Sequence, residues 1–272
     1  MKLLRLQLFD YRNFLRIDLA LGPGPTLFVG DNAQGKSNLL VAVYLLATTR
    51  DPRAEVDAQL IRRSVAEDVS PTARVLGEVE TAAGSLRVEV GVLGRPGPNG
   101  LLATKVARVN GVPRRLSDVI GRLTAVLFTA EDIDLVGGPR ALRRRYLDIT
   151  LSQVDRAYLA ARQRLERVLL QRNHLLKRIR EGAAGPEELA FWDAELARDG
   201  GYLFRARAEA LLELGQQEAV EALQAHWDDW IANPERRAAQ GRKAREVVER
   251  GAGAAARTAE WLVGLIGDGG PR

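Results

Sequence analysis

The stretch LFVGDNAQGKSNLLVAVYLLATT, residues 27–49, decides the fold. A compact apolar run, Leu27-Phe28-Val29, leads into a polar loop flanked by glycines. Asn38–Ala47 then continues with nearly unbroken helix-compatible apolar residues. That order reads as strand, loop and buried helix. Gly30-Asp31-Asn32-Ala33-Gln34-Gly35-Lys36-Ser37 satisfies GxxxxGK[ST] in the setting its chemistry requires, after a strand and before a helix. The first and sixth positions are glycines, so the backbone can bend around a β-phosphate with its N–H groups turned inward. The following helix N-terminus adds partial positive charge. Lys36 is expected at the β- and γ-phosphates and the Ser37 hydroxyl at Mg²⁺, with ATP as the nucleotide.

The rest of the chain brackets that loop. Its 272 residues are 46% hydrophobic and 28% charged, a globular composition with length for one large or two modest domains. The absence of cysteine excludes a disulfide framework, a thiolate zinc site and cysteine nucleophile chemistry, and fits a reducing, cytoplasmic setting. Leu39–Ala47 is far shorter than the ~18–20 apolar residues of a bilayer span, so no membrane association is expected. The start, MKLLRLQLFDYR, lacks the apolar core of a secretory signal and reads as a strand, with Leu4, Leu6 and Leu8 on one face.

Two alternating segments between Arg74 and Gly94 flank a turn at Ala82–Ser85, and Leu101–Val109 precedes Asn110-Gly111, a strong hairpin signal. The apolar run Thr124–Phe128 closes this part, and from about Arg140 the pattern is helical. Val154, Tyr158, Ala161, Leu165, Val168, Leu175 and Ile179 form one helix face, broken only by Arg172. Glu181–Glu188 is the natural turn of a hairpin, and Leu189, Trp192, Leu196, Leu203 and Leu211-Leu212 return along it. The expected organisation is an ATP-binding head at 1–138 with a mixed sheet and a β subdomain at about 74–112, a helical-hairpin lobe at 139–213, and a helical tail at 214–272.

ATP hydrolysis needs a second, acidic position, usually an apolar strand ending in Asp, to hold Mg²⁺ and orient water. The best match is Ala125-Val126-Leu127-Phe128 followed by Glu131-Asp132. Those acids come three and four residues late, and the preferred reading is that they cap the first turn of a following helix. ATPase activity is therefore expected to be weak or absent, and no catalytic residue is assigned.

Charge is concentrated. The net charge is +5, yet Pro139–Arg180 holds twelve basic and three acidic residues, 12 − 3 = +9, leaving 5 − 9 = −4 for the rest. Arg143, Arg144, Arg145 and Arg156 are the candidates for phosphate contacts with DNA, against the alternative of a solvated helix face.

Several segments together resemble the RecF family of SMC-like ABC-type ATPases: Tyr11-Arg12-Asn13-Phe14, GDNAQGKSNLL at 30–40, AVYLLATTRDPR at 42–53, VNGVPRRLSDVIGRL at 109–123, VLFTAEDIDLVGGPRALRRRYLDITLSQVDRAYL at 126–159, and QRNHLLK at 171–177. The resemblance covers roughly 1–213. It departs chiefly at Val41, where the family usually has Glu, and at Asp51-Pro52. It implies an α/β head with an antiparallel β subdomain and a helical-hairpin lobe, binding ATP and DNA at single-strand/double-strand junctions in gaps. Family resemblance further implies work with RecO and RecR to load RecA in replication, repair and the SOS response, and ATP-dependent homodimerisation in which a signature segment of one protomer meets the phosphate loop of the other. That segment and the acidic strand are not found in this sequence; Leu214-Gly215-Gln216-Gln217 is only superficially similar to the signature. The alternatives are a truncated or fused product that binds nucleotide without hydrolysing it, and a small-molecule P-loop kinase. Residues 222–262 are similar to the C-terminal helices of GT-B glycosyltransferases of the Kdo-transferase type, which suggests a junction near Leu212–Gln217. An amphipathic Ala/Glu/Arg-rich helix pair is the other reading of this tail.

Overall fold

The computed structural model describes residues 1–22, 24–63, 70–98, 100–216 and 235. Six strands form one sheet: β1 (Lys2–Tyr11), β2 (Phe14–Ala20), β3 (Thr72–Thr81), β4 (Gly84–Gly97), β5 (Gly100–Val109) and β6 (Val112–Arg114), in the order β2-β1-β3-β4-β5-β6. Every pairing is antiparallel. The N-terminal strand thus belongs to the same sheet as the expected β subdomain. The hairpins are local: Thr81 pairs with Gly84 across Ala82-Ala83, and Val109 with Val112 across Asn110-Gly111. Asn110 and Gly111 both have positive φ, 51° and 79°, the turn whose twist matches that of the flanking strands.

Leu6 and Leu8 are buried as their alternation predicts, whereas Leu4 is exposed. The reason is a register shift in the β1–β3 pairing between Leu3 and Arg5. Such a bulge resets the in–out alternation and turns Leu3, rather than Leu4, toward the core.

Helix α1 (Lys36–Thr48) packs on this sheet. Leu39, Leu45, Leu46 and Ala47 join Val75, Val79, Val88, Val90 and Val92 in one core. Leu46 lies close over Gly77, where a β-carbon would be 2.8 Å from Leu46 Cδ1, so a larger residue on β3 there would force Leu46 to repack. Val41 is buried with only 2% exposure. An apolar residue at this position avoids the cost of burying the carboxylate the family usually carries.

Short helices α2 (Leu116–Val119) and α3 (Asp134–Gly137) lead to α4 (Arg140–Val154), α5 (Arg156–Arg180) and α6 (Leu189–Gln216). The expected long helix is broken at Asp155, whose carboxylate accepts from the N–H groups of Ala157 and Tyr158 and so starts α5 afresh. Tyr158, Ala161, Val168, Leu175 and Leu203 are buried, while Val154, at the break, is exposed. Ion pairs Arg164–Asp199 (2.9 Å) and Arg172–Asp193 (2.6 Å) bind α5 to α6. Asp148 on α4 accepts from Tyr158 on α5 and Arg207 on α6. The chain groups into two compact units, Met1–Ala208 and Glu209–Arg272. The stretch 222–262, for which a glycosyltransferase resemblance was expected, lies, apart from Glu235, outside the described residues.

The structure corrects two strand expectations. Leu27–Val29 and Thr124–Phe128 join no strand ladder, and no mixed sheet surrounds the phosphate loop among the described residues. Their side chains still alternate. Phe28 and Ala125 pack on the main core, while Leu27, Val29, Val126 and Phe128 are 78–85% exposed. The in–out alternation of a strand is present without a strand partner among the described residues. No described helix is long and apolar enough to cross a membrane.

Candidate functional site

Residues 30–37 form a tight turn onto the N-terminus of α1. Ala33 and Gly35 take left-handed conformations, φ 65° and 98°. At Gly35 a β-carbon would lie 2.5 Å from Asn13 Nδ2 and 2.6 Å from Phe14 Cζ, so glycine is needed both for its φ and for its closeness to the β1–β2 turn. Asn13 ties that turn to the loop: its Nδ2 donates to the Gln34 carbonyl at 3.2 Å, and its Oδ1 accepts from Asn38 Nδ2 at 2.8 Å. The Lys36 ammonium donates to the carbonyls of Gly30 (2.5 Å) and Asp31 (2.6 Å), which folds the side chain back along the loop. Asp31, Asn32, Ala33 and Gln34 complete the loop, and Ser37 begins the helix beside Lys36.

These residues fit a nucleoside triphosphate. A cation sits against the loop's own carbonyls, where a phosphate oxygen would be a stronger acceptor, at the positive end of a thirteen-residue helix. One residue from Asn13, Arg12 Nε is buried without a hydrogen-bond partner among the described residues. For Mg²⁺ the loop offers the Ser37 hydroxyl; among the described residues no group of three or more His, Asp or Glu is arranged to hold a metal ion.

Asp51 was not singled out as a site residue from the sequence, although it lies in the segment that departs from the family pattern. It is buried and accepts from Tyr11 (3.2 Å), Arg12 (2.8 Å) and the Arg53 N–H (2.8 Å). The loop after α1 is thereby tied to the Tyr11-Arg12-Asn13-Phe14 turn that backs the phosphate loop. Burial, with the Asp51 charge adding to it, pushes the Tyr11 hydroxyl pKa well up, so the phenol stays a neutral donor. The only sequence signal for this anchor is an acid directly after an apolar helix.

The Glu131-Asp132 pair serves as a cap. Asp132 Oδ2 accepts from the N–H (2.6 Å) and hydroxyl (3.0 Å) of Thr129, closing a capping box on the 3₁₀ turn Ala130–Ile133.

Of the four arginines expected to face DNA, two have their donors engaged with main-chain carbonyls. Arg143 bonds the carbonyls of Leu135 (3.0 Å), Val136 (3.4 Å) and Gly138 (3.0 Å), and Arg156 those of Ser117 (2.9 Å) and Asp118 (3.3 Å). Arg144 and Arg145 make no side-chain hydrogen bond or ion pair among the described residues.

No protein-family model matches the chain. Among curated proteins it is 47% identical over 214 residues to the DNA replication and repair protein RecF of Chloroflexus aurantiacus, covering 75% of this chain and 55% of that one. It is 38% identical over 214 residues to RecF of Thermomicrobium roseum, covering 77% and 54%. The chain spans about half the length of the curated relatives it matches. Among solved structures, that of the recombination mediator protein RecF with ATP superposes with a TM-score of 0.68 at 31% identity, over 78% of this chain and 54% of that one. The comparisons lend no support to a glycosyltransferase relationship for the tail. Sequence and solved-structure similarity together strongly support a relationship of the first three quarters of this chain to the RecF family, with the fold of the ATP-bound RecF structure.

Proposed function

We propose that this chain is an ATP- and DNA-binding recombination mediator of the RecF type, acting in replication, gap repair and the SOS response. The observation that carries the ATP reading is the Gly30–Ser37 turn, with Lys36 turned onto its carbonyls at the head of α1 and Asn13 bracing it from the neighbouring hairpin. In this reading the loop N–H groups and Lys36 hold the β- and γ-phosphates and Ser37 completes the Mg²⁺ shell; the bound metal would neutralise phosphate charge. The family supplies the rest: cytoplasmic location, recognition of single-strand/double-strand junctions, cooperation with RecO, RecR and RecA, and an ATP-dependent homodimer.

Lys36→Ala tests the reading. Loss of a charge-assisted contact worth about 1.5–3 kcal/mol should weaken ATP binding roughly 10- to 100-fold in titration calorimetry. Unchanged affinity would sink the assignment.

A second reading, nucleotide binding without hydrolysis, is favoured by the engagement of Asp132 in the Thr129 cap. ATP turnover measured with and without gapped DNA separates the two. DNA-stimulated turnover supports the active mediator, whereas binding with no turnover supports the second reading. Turnover on a small acceptor would instead point to a kinase.

A further inference from the structure

Arg50 follows the C-terminal end of α1, Arg144 and Arg145 lie on α4, and Arg162 lies on α5. The four line one cavity of about 260 Å³ together with Asp148 and Glu166. At ~30 Å³ per water that space equals roughly eight or nine waters, ample for a tetrahedral oxyanion and part of its hydration.

Both carboxylates are already taken. Asp148 accepts from Arg207 (2.7 Å) and from the Tyr158 hydroxyl, and Glu166 accepts from Arg162 Nε (3.1 Å) and its terminal nitrogen (3.0 Å). Arg50, Arg144 and Arg145 are left with no side-chain hydrogen bond or ion pair among the described residues. Four guanidinium groups thus face two carboxylates around one hollow. The Arg50 pKa is held below its ordinary value by desolvation first and by the Arg162 charge second; Glu166 offsets part of this and Arg145 adds to it. An excess of positive charge gathered in this way favours an entering anion.

We propose that this hollow is a phosphoryl-anion site, with Arg50, Arg144 and Arg145 as its ligands and Arg162 as a fourth positive wall. Planar guanidinium forks match the paired oxygens of a phosphoryl group, and the tetrahedral array of acceptor oxygens on phosphorus can engage several guanidinium groups where a planar carboxylate offers two oxygens. The site is separate from the phosphate loop. That loop sits at the N-terminus of α1 and Arg50 beyond its C-terminus, and thirteen residues at ~1.5 Å each set the two about 20 Å apart. The phosphoryl group could be a free phosphate or a phosphodiester of a nucleic acid. The second source would give the DNA reading above a defined contact and rests on that reading; the first does not.

The test uses the full chain carrying Lys36→Ala, so that the phosphate loop contributes little, and inorganic phosphate as probe. Titration calorimetry should show phosphate binding that weakens at least tenfold when Arg50→Gln or Arg144→Gln is added. Because neither side chain makes a hydrogen bond or ion pair among the described residues, these variants should fold, and in phosphate-free buffer their melting temperatures should equal or exceed that of the parent. Phosphate should raise the parent's melting temperature and leave theirs unmoved. Equal phosphate affinity in parent and variants overturns the proposal, as does absence of binding in the parent. A labelled DNA duplex distinguishes the sources. If Arg144→Gln weakens duplex binding and phosphate competes with it, the ligand is a phosphodiester. If duplex binding is unchanged while phosphate binding is lost, it is a free phosphate. Failure of the unsubstituted chain to bind any DNA would sink the DNA reading and leave the phosphate titration to decide the site.

Discussion

The two halves of the head obey the same alternation and end in opposite environments. In the six-stranded sheet, Val75, Val88, Val90 and Val92 are buried and their strands are paired on both sides. In the segments 26–29 and 125–128 the residues alternate just as regularly, yet Leu27, Val29, Val126 and Phe128 face outward. The difference lies in where the partners are. Strands β3, β4 and β5 each find a partner across a hairpin a few residues long, so pattern and partner come together in the sequence, and only the β1–β3 pairing is distant. The extended segments lie about a hundred residues apart and meet no strand among the described residues. Period-two alternation specifies a backbone shape; it does not say what covers it.

The sharpest way to break this contrast is to put a charge into each region. Val90→Asp, at the sheet centre with no exposure, should cost more than ~4 kcal/mol and remove cooperative thermal unfolding. A folded Val90→Asp variant with near-parental melting temperature would mean the sheet is no more committed than the segments beside the phosphate loop.

Legibility in the sequence follows the same divide. Features whose cause is local were readable: the Asn110-Gly111 turn needs two positive φ values, and the phosphate loop announces its geometry through glycine spacing. The Thr129–Asp132 cap was readable because its donor and acceptor lie three residues apart. Features resting on distant contacts were not. Nothing near Asp51 reveals that Tyr11 and Arg12 converge on it, nor does a run of arginines show which will be consumed. Arg143 and Arg144 are adjacent and chemically identical, and only the fold sends one to the carbonyls around Gly138 and the other to an anion-sized hollow. Leu4 failed for a third reason, a bulge that alternation cannot foresee.

Helix α4 connects the regions, and its anchorage gives the next effect in size. The Tyr158 hydroxyl donates to Asp148 and accepts from Arg207 at 2.9 Å, so one phenol joins α4, α5 and α6. Tyr158→Phe should cost about 1–3 kcal/mol by chemical denaturation. Burial first, then the hydrogen bond to Asp148, raises this phenol from its ordinary 10 to about 12. The protonated form is the one the fold prefers. Its contribution is therefore complete below pH 10 and is lost as pH rises through about 12. Parent and Tyr158→Phe denaturation curves should converge over that interval; a gap that stays constant would show that the phenol's proton is not what holds the three helices.

Gln153 sharpens the comparison further, because its amide does for one residue what a strand would do for several. Its Oε1 accepts from the Ala125 N–H at 2.9 Å and its Nε2 donates to the Ala125 carbonyl at 3.2 Å. Gln153→Ala should cost about 1–2 kcal/mol and accelerate hydrogen exchange at the Ala125 amide while leaving β3–β5 protected. Equal acceleration in the sheet would indicate one cooperative unit and remove the distinction between paired and unpaired strand-like segments.

The smallest effect is the most discriminating. Val126 is 78% exposed, so Val126→Ser removes little buried area and should change stability by less than ~0.5 kcal/mol. The same exposure should make the segment sticky, since an extended apolar stretch with free backbone groups invites another chain to pair with it. Val126→Ser combined with Leu27→Ser should therefore reduce self-association in concentrated solution, measured by sedimentation, with almost no shift in melting temperature. A loss above ~1.5 kcal/mol would mean these side chains are covered in solution. The contrast with the sheet would then be one of partner identity rather than of partner absence, because a residue contributes to stability only where something excludes water from it.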